Sequence, residues 1–588
     1  MSEQTNGVAP ETTERCAIGI SFGNSNSSIA RTSNEGKPEV IANEEGDRHI
    51  PSVLSYVDGE EYHGTQAKSQ LIRNPQNTVA YFRDILGKDF KSIDPTPCHA
   101  SAHPQVHDSS IAFSICDSAS EEPSTVTISE ITTRHLRRLR QSASDFLGKN
   151  VNAAVIAVPT NFTDAQREAL KIAAEAAGID VLQFIHEPVA AVLAYDARPN
   201  SAMKDKLVVV ADFGGTRSDV AVVASRGGMY TVLATVHDYE LGGAQLDQVL
   251  IDYFAKEFIK KHKEDPRENT RALAKLKLES EATKKALSLG TNATFSIESL
   301  TNGIDFSSTI NRTRYELLAG KVFRNFTGLI EQAVQKAELD VLDIDEVILC
   351  GGTSHTPKIA QLVRSIFPES TAILAPATSP TAINPSDLVV RGAAIQASLV
   401  EEFEKDDIEQ STHPMVTVTP HLRNAIGIQL VSAGADGNTI PIFKPLLHAE
   451  TALPTRRFAQ YTAPKEGGDV LIRVCEGTRE IKVTKPEPKP KPKPAEGEEG
   501  GEGDGEDEDS DFDLEEEEDE EEIREIVWNS GKTIAEFAVK DVKPEGKIEV
   551  MISVNENLAI QITAREIGGK SAVRGLVDGP QSMENGTA

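Results

Sequence analysis

Two hairpins of the same make, offset by 191 residues, constrain this 588-residue chain more than any other feature. The first reads Ile18-Gly-Ile-Ser-Phe-Gly-Asn-Ser-Asn-Ser-Ser-Ile-Ala30 and the second Val208-Val-Val-Ala-Asp-Phe-Gly-Gly-Thr-Arg-Ser-Asp-Val-Ala-Val-Val223. Each is an apolar run, a tight glycine turn carrying small hydroxyl or amide side chains, and a second apolar run. A turn without Cβ bulk lets backbone N–H groups approach an anion closely, and flanking hydroxyls add donors. A matched pair predicts two similar lobes holding one polyphosphate from both sides. A third strand runs into glycines at Val347-Ile-Leu-Cys-Gly-Gly-Thr-Ser354. One such turn carries little weight; three, two of them in register, predict a nucleotide site.

Composition bounds the partners. At 39% hydrophobic and 26% charged, the chain reads as a globular protein of about two to four domains. No run of about eighteen apolar residues offers a membrane span. The polar first fifteen residues read as a disordered tail and not as a secretory signal. Cys16, Cys98, Cys116, Cys350 and Cys475 are odd in number and lack metal-ligand spacing, so reduced cytosolic thiols are expected. The sequon Asn161-Phe-Thr163 then carries no weight. Residues 496–525 hold twenty Asp or Glu against one Arg, supplying −19 of a net charge of −31. The remainder is still acidic. Such a chain repels phosphate backbones, so no direct nucleic-acid partner is expected; residence on an RNA-rich particle would need a mediator.

From Arg15 to about Val400, strands alternate with amphipathic helices, an α/β pattern with helix-covered sheets. Ala153–Pro159 predicts a strand, and Thr163-Asp-Ala-Gln166 a capping box opening a helix to Gly178. A helix over 130–148 places Leu136, Leu139, Ala143, Phe146 and Leu147 on one face. Arg134, Arg137, Arg138 and Arg140 fall mostly on the other, read as a solvated surface. Polar residues 401–414 link this block to a region of different texture. Short alternating runs at Ala425–Val431, Ile440–Pro445, Arg457–Thr462, Val470–Val474, Ile534–Val539, Lys547–Val554 and Leu558–Ala564 predict a β-sandwich in two parts, 415–484 and 526–566. Between them Lys485–Pro494 is a stiff Lys-Pro spacer, and the acidic tract to 525 is expected to be disordered. Residues 567–588 read as a tail, with no helical subdomain.

Within the first block, Glu281, Lys284, Lys285 and Ser288 fall at i, i+3, i+4 and i+7 of one helix face. Glu281 is suited to accept from a ribose hydroxyl, and the lysine stems to pack on a base while their ammonium groups stay wet. The same spacing also describes ordinary solvated surface.

These motifs resemble those of the heat shock protein 70 chaperone family over about Cys16–Leu399. Asn77-Thr-Val79, Ile185-His-Glu-Pro-Val-Ala-Ala191, Leu241-Gly-Gly243, Asn302-Gly-Ile-Asp-Phe306 and Gly392-Ala-Ala394 match as well. The resemblance implies an actin-like, two-lobed nucleotide-binding domain over 16–400, then a truncated β-sandwich without a helical lid. ATP is the implied cofactor. Gly23, Asn24 and Ser25 would meet it at the first phosphate turn, Asp212, Gly214, Gly215 and Thr216 at the second, and Gly351 and Gly352 at the third. Glu281, Lys284, Lys285 and Ser288 would surround the adenosine. Within the family the chain resembles the atypical Ssz type of the fungal ribosome-associated complex. That implies a cytoplasmic, ribosome-associated setting and a J-domain partner resembling zuotin, through which the ribosome is reached. A conventional ribosome-bound heat shock protein 70 chaperone would be the protein it serves.

The departures from the family bear on turnover. An Asp near the magnesium shell is replaced by Ser21, and the lysine that positions water by Arg83, in Phe82-Arg-Asp-Ile-Leu-Gly87. The second turn, usually Gly-Gly-Gly-Thr, reads Gly214-Gly-Thr-Arg217, while Glu187, Asp212 and Asp219 remain. Ser21 weakens any magnesium site by one charge. The planar guanidinium of Arg83 aims its donors differently from an ammonium, and Arg217 can pair statically with phosphate oxygens. Hydrolysis depends on positioning, so binding should survive and turnover should not. The family's apolar linker is replaced by His413-Pro-Met-Val-Thr-Val-Thr-Pro420. These features together imply an ATP-binding, hydrolysis-deficient co-chaperone for nascent polypeptides and not an enzyme. An active ATP-driven peptide-binding chaperone is the alternative; a sugar or carboxylate kinase lacks a marked substrate cleft.

Overall fold

The computed structural model describes residues 15–93, 101–107, 110–116, 122–198, 204–404, 407–408, 422, 424–433, 439–449, 451, 453–464, 466–484, 523–555, 558–569 and 572–577. The first fourteen residues, the 413–420 segment and the spacer and acidic tract over 485–522 lie outside them. Cys16, Cys350 and Cys475 are free thiols. No helix among the described residues is long and apolar enough to cross a membrane.

The paired hairpins build two sheets of one design. In the first lobe, strands Asp180–His186, Ala153–Val158, Ala17–Phe22, Asn26–Thr32 and Pro38–Ile41 lie side by side in that order. In the second, Ala372–Leu374, Glu346–Cys350, Lys206–Phe213, Ser218–Arg226 and Met229–Asp238 repeat it. In both, the leading strand runs antiparallel to its hairpin mate and parallel to the strand on its other side. The α/β, two-lobed expectation is borne out.

Side-chain alternation places these sheets between layers. Along Ala153–Val158, residues 154, 156 and 158 enter a core with Leu136, Leu139 and Leu170, while 153, 155 and 157 enter one with Ala190 and Ala393. Helices Glu187–Asp196 and Leu388–Val400 contribute to that second core and, through Ala191, Val192 and Leu388, to another with Val208, Val210 and Ile348 of the second lobe. They are shared by both lobes.

Local signals account for the helices. Thr163 and Gln166 close the capping box at the start of Asp164–Ala176. Thr127 caps Ile128–Leu147, which ends at Gly148 in the left-handed region. Leu136, Leu139 and Ala143 are buried as expected, but Phe146 is 60% exposed and Leu147 alone extends the apolar face. Nor are the arginines simply solvated. Arg134 pairs with Glu61 and Glu130, Arg138 with Glu44, Arg137 donates to the Ala176 carbonyl and Arg140 to that of Val151.

A second compact unit begins at Leu422, the stretch 450–452 aside. One sheet runs Thr439–Leu447, Ile426–Ala433, Gly468–Thr484, Ile523–Val542; the other runs Thr455–Thr462, Lys547–Val554, Ile560–Glu566, Ala572–Val577. Ile428, Val474 and Val539 of the first share a core with Val550, Ile552 and Ile562 of the second, a β-sandwich. Boundaries differ from expectation in three places. Strands Gly468–Thr484 and Ile523–Val542 pair along their length, so 523–525 belong to a strand and not to the acidic tract. Polar residues such as Arg479 and Glu480 hide that pairing in the sequence. Ala572–Val577 pairs with Ile560–Glu566, where a tail was expected. The 401–414 linker begins docked: Glu401 Oε1 accepts from the Ala17 N–H (2.8 Å) and pairs with Arg31 (3.3 Å), and Ile408 is buried.

Candidate functional site

The turns of the two hairpins close on each other. Asn24 Nδ2 donates to Thr216 Oγ1 at 3.0 Å. A Cβ on Gly215 would stand 2.5 Å from Ser25 Oγ, so the missing side chain is what lets the turns meet. The Gly214 carbonyl accepts from the Gly243 N–H (2.9 Å) and from Thr353 Oγ1 (2.8 Å), which draws in Leu241-Gly-Gly243 and the third turn. Gly351 sits at φ 80°, ψ 159°, and a Cβ there would collide with Asp212 Oδ1 and the Phe213 carbonyl. Only glycine suits that position. Gly352 opens the short 3₁₀ turn that follows. All three predicted turns therefore share one place.

A buried chain of hydrogen bonds fixes the first turn from behind. Ser52 Oγ donates to the Gly23 carbonyl (2.7 Å), which uses its single hydrogen. At the 2.9 Å contact between Ser27 Oγ and Ser52 Oγ, Ser27 must then donate. The remaining partner of Ser27, His135 Nε2 at 2.9 Å, must in turn carry a hydrogen. His135 is neutral, its pKa pushed down to about 3 by burial. Its Nδ1 is a buried acceptor with no partner among the described residues.

Beyond the turns lies a carboxylate cluster held by two guanidinium groups. Arg83 and Arg217 are 5% and 6% exposed. Arg83 Nε donates to Asp84 Oδ1 (2.8 Å), and Nη1 reaches Glu187 Oε1 at 3.3 Å. Arg217 grips Asp219 with a fork, Nε to Oδ2 at 2.7 Å and Nη2 to Oδ1, and its Nη1 lies 3.5 Å from Asp84 Oδ1. Asn161 Oδ1 accepts from Nη2 at 3.1 Å, and the Tyr239 ring packs under the guanidinium at 4.4 Å. His237 Nδ1 completes the set, 2.6 Å from Asp219 Oδ1.

Their titration follows from this pairing. Burial pushes Glu187 up to about 8 against the pull of Arg83, with Asp212 and Asp219 adding repulsion. Burial and the Asp219 charge raise Asp212 to about 6. Burial would raise Asp219 too, but Arg217 and His237 outweigh it and hold that carboxyl far below the usual range. Glu187, Asp212 and Asp219 line one small cleft with Thr160 and Cys350.

Ser21 sits at the corresponding place of the first hairpin, half-buried, and supplies no charge. A divalent cation needs carboxylate oxygens open to it or to its water shell. Here Asp84 and Asp219 are already engaged by guanidinium, Ser21 is neutral, and Asp212 is left as a single carboxylate beside two fixed positive charges. No group of three His, Cys, Asp or Glu among the described residues is arranged to hold a metal. The donor set does not fit a magnesium ion.

Helix Thr270–Leu289 carries the other predicted residues. Glu281 receives Lys68 (2.7 and 2.8 Å) and Lys285 (2.7 Å), which overcome burial and hold it at about 2, ionised and able to accept further hydrogen bonds. Lys285 is exposed, and Ser288 donates to the Lys284 carbonyl at 3.2 Å. Lys284 differs from its expected wet position. It is buried and committed to Asp247 (2.8 Å) and the Gly243 carbonyl (3.1 Å), where it braces the segment behind the second turn. Sequence reasoning missed Lys68, Asp84, Asn161, His237 and Tyr239. Asp84 adjoins Arg83 and could have been found; the others come from separate elements with no local signal.

A two-lobed α/β fold whose three glycine turns meet over a carboxylate cluster, followed by a β-sandwich, defines one class of protein. Residues 17–484 match the family profile described as Hsp70 protein, and the chain belongs to the heat shock protein 70 family. It is 45% identical over 567 residues to a heat shock protein 70 homologue of Schizosaccharomyces pombe, covering 95% of each chain. It is 43% identical over 558 residues to the ribosome-associated complex subunit SSZ1 of Saccharomyces cerevisiae, covering 95% of this chain and 99% of that one. Identity to heat shock 70 kDa protein 2 of Paracoccidioides lutzii is 33% over 476 residues, 79% of this chain and 68% of the relative. The chain is thus a chaperone-like member of the family.

Proposed function

We propose that this chain binds ATP across its three glycine turns, hydrolyses it negligibly, and serves as a stable co-chaperone subunit at the ribosome. The observation that carries this reading is the fork of Arg217 on Asp219 (2.7 Å) beside Arg83 on Asp84 (2.8 Å) and Glu187 (3.3 Å). Hydrolysis needs donors aimed at the attacking water and at the charge that develops on the phosphoryl group. Guanidinium groups whose N–H donors are turned onto buried carboxylates aim none of them there. In this reading Gly23, Asn24, Ser25, Gly214, Gly215, Thr216, Gly351 and Gly352 surround the phosphates, and Glu281 and Lys285 meet the nucleoside. Lys284 and Ser288 act by shaping that helix.

Likeness to the yeast subunit over nearly its whole length supports a complex of the same kind. The partner would be a J-domain protein resembling zuotin, and ribosome contact in the cytoplasm would pass through it. A conventional ribosome-bound heat shock protein 70 chaperone would then act on nascent polypeptides. Single-turnover incubation with γ-labelled ATP tests the first half. Bound ATP should persist intact for hours; phosphate release within minutes, lost on Asp212→Ala, would establish an active ATP-driven chaperone instead. Purification from a fungal lysate tests the second half through copurifying J-domain protein and ribosomes.

A further inference from the structure

The geometry points to triphosphate binding without a divalent cation, with Arg217 and Arg83 standing where other nucleotide sites place a metal. This deepens the proposed ATP reading and rests on it. Arg217 directly follows the phosphate turn Gly214–Thr216, and the Gly214 N–H bonds the Arg217 carbonyl at 3.0 Å, so its main chain belongs to the turn itself. The guanidinium is 6% exposed and fixed on four sides by Asp219, Asp84, Asn161 and the Tyr239 ring. Arg83 lies across the same Asp84 carboxylate and is bonded also to the Phe22 carbonyl (3.4 Å), one residue before the first turn. Each phosphate turn thus has a permanent cation packed against its base.

A polyphosphate held between two turns brings several negative charges into a partly dehydrated cleft. A metal ordinarily screens them, and it must be held by carboxylates that are free to accept its water shell. In this chain Asp84 and Asp219 are engaged by guanidinium, which leaves Asp212 as the one hairpin carboxylate facing the cleft without such a partner among the described residues, and the first hairpin offers Ser21 and Ser28 where the second has Asp212 and Asp219. The exchange is chemically coherent. Two buried cations with fixed geometry supply the screening that a mobile ion would supply, at no dependence on metal concentration. They do not polarise a bound water, so the same exchange leaves the phosphates uncut.

The test is calorimetric titration of ATP into the nucleotide-stripped full-length chain, in excess magnesium and in excess EDTA. The expected result is a dissociation constant that differs by less than about threefold between the two buffers. Binding weakened tenfold or more by EDTA overturns the inference while leaving the ATP reading intact. No binding in either buffer, by protein that melts cooperatively, overturns both. The variant Arg217→Thr removes the fixed cation and frees the Asp219 carboxylate, which keeps His237 as its partner. Its affinity should become magnesium-dependent by at least tenfold, and an affinity indifferent to magnesium would overturn the assignment to Arg217.

Discussion

Ser21 faces Ser28 across the first hairpin in the same register in which Asp212 faces Asp219 across the second. The two hairpins therefore carry a neutral pair and an acidic pair at the corresponding rung. Restoring one carboxylate should not restore turnover, because Arg217 still occupies Asp219. We expect Ser21→Asp alone to leave single-turnover hydrolysis unchanged. Ser21→Asp with Arg83→Lys and Arg217→Thr should raise it at least about tenfold, a barrier change of roughly 1.4 kcal/mol.

The Glu187 carboxyl makes stability fall on the alkaline side. Held near 8 against an ordinary 4.5, it binds its proton more tightly in the folded chain than in the unfolded one. Its contribution is present at pH values below its unfolded pKa and is lost as pH rises through 8. Buried His135 and His186, pushed down to about 3 and 4, work oppositely and lose their contribution as pH falls below about 6.5. Between pH 6.5 and 8 Glu187 is the one of these three that acts. Denaturant unfolding should show stability dropping by up to about 1.4 kcal/mol per pH unit there, and Glu187→Gln should flatten the slope.

His135 supports the first turn at a distance. Replacing it with Phe keeps the ring but removes the donor at the head of the Ser27–Ser52–Gly23 chain. The expected cost is about 1–3 kcal/mol, read by urea melting, with a parallel loss of ATP affinity. Melting unchanged within error would show that the chain reorganises freely.

Gly351→Ala should be the most damaging single methyl in the second lobe. Its backbone lies in a region that only glycine adopts readily, and the new Cβ would strike main-chain and Asp212 atoms together. A loss of more than about 1–3 kcal/mol is expected from strain alone. Circular dichroism melting checks it.

How far the sequence revealed this molecule depends on which interactions were local. Hairpin turns, the Thr163–Gln166 cap and the alternating strands after Leu422 were legible because each depends on neighbours in the chain. The lobe duplication could be read because Gly23 and Gly214 carry the same constraint in the same register. Lys284 could not be placed, since helical spacing fixes its face but not the Asp247 carboxylate that draws it inward. Asp219 was legible as a retained acid and Arg217 lies two residues before it, yet its union with His237 requires a third strand folded alongside. The Ala572–Val577 strand escaped because half its residues are exposed and Gly575 interrupts its pattern.

The long ribbon of the β-sandwich has one more consequence. Thr484 and Ile523 are cross-strand partners, so the connection 485–522 joins two positions on a single rung. Whatever the length of that connection, its ends ask nothing new of the sandwich, and doubling a flexible loop costs only about 0.6 kcal/mol of closure entropy. Natural variation can therefore lengthen, shorten or recharge this connection without altering the two strands that carry it.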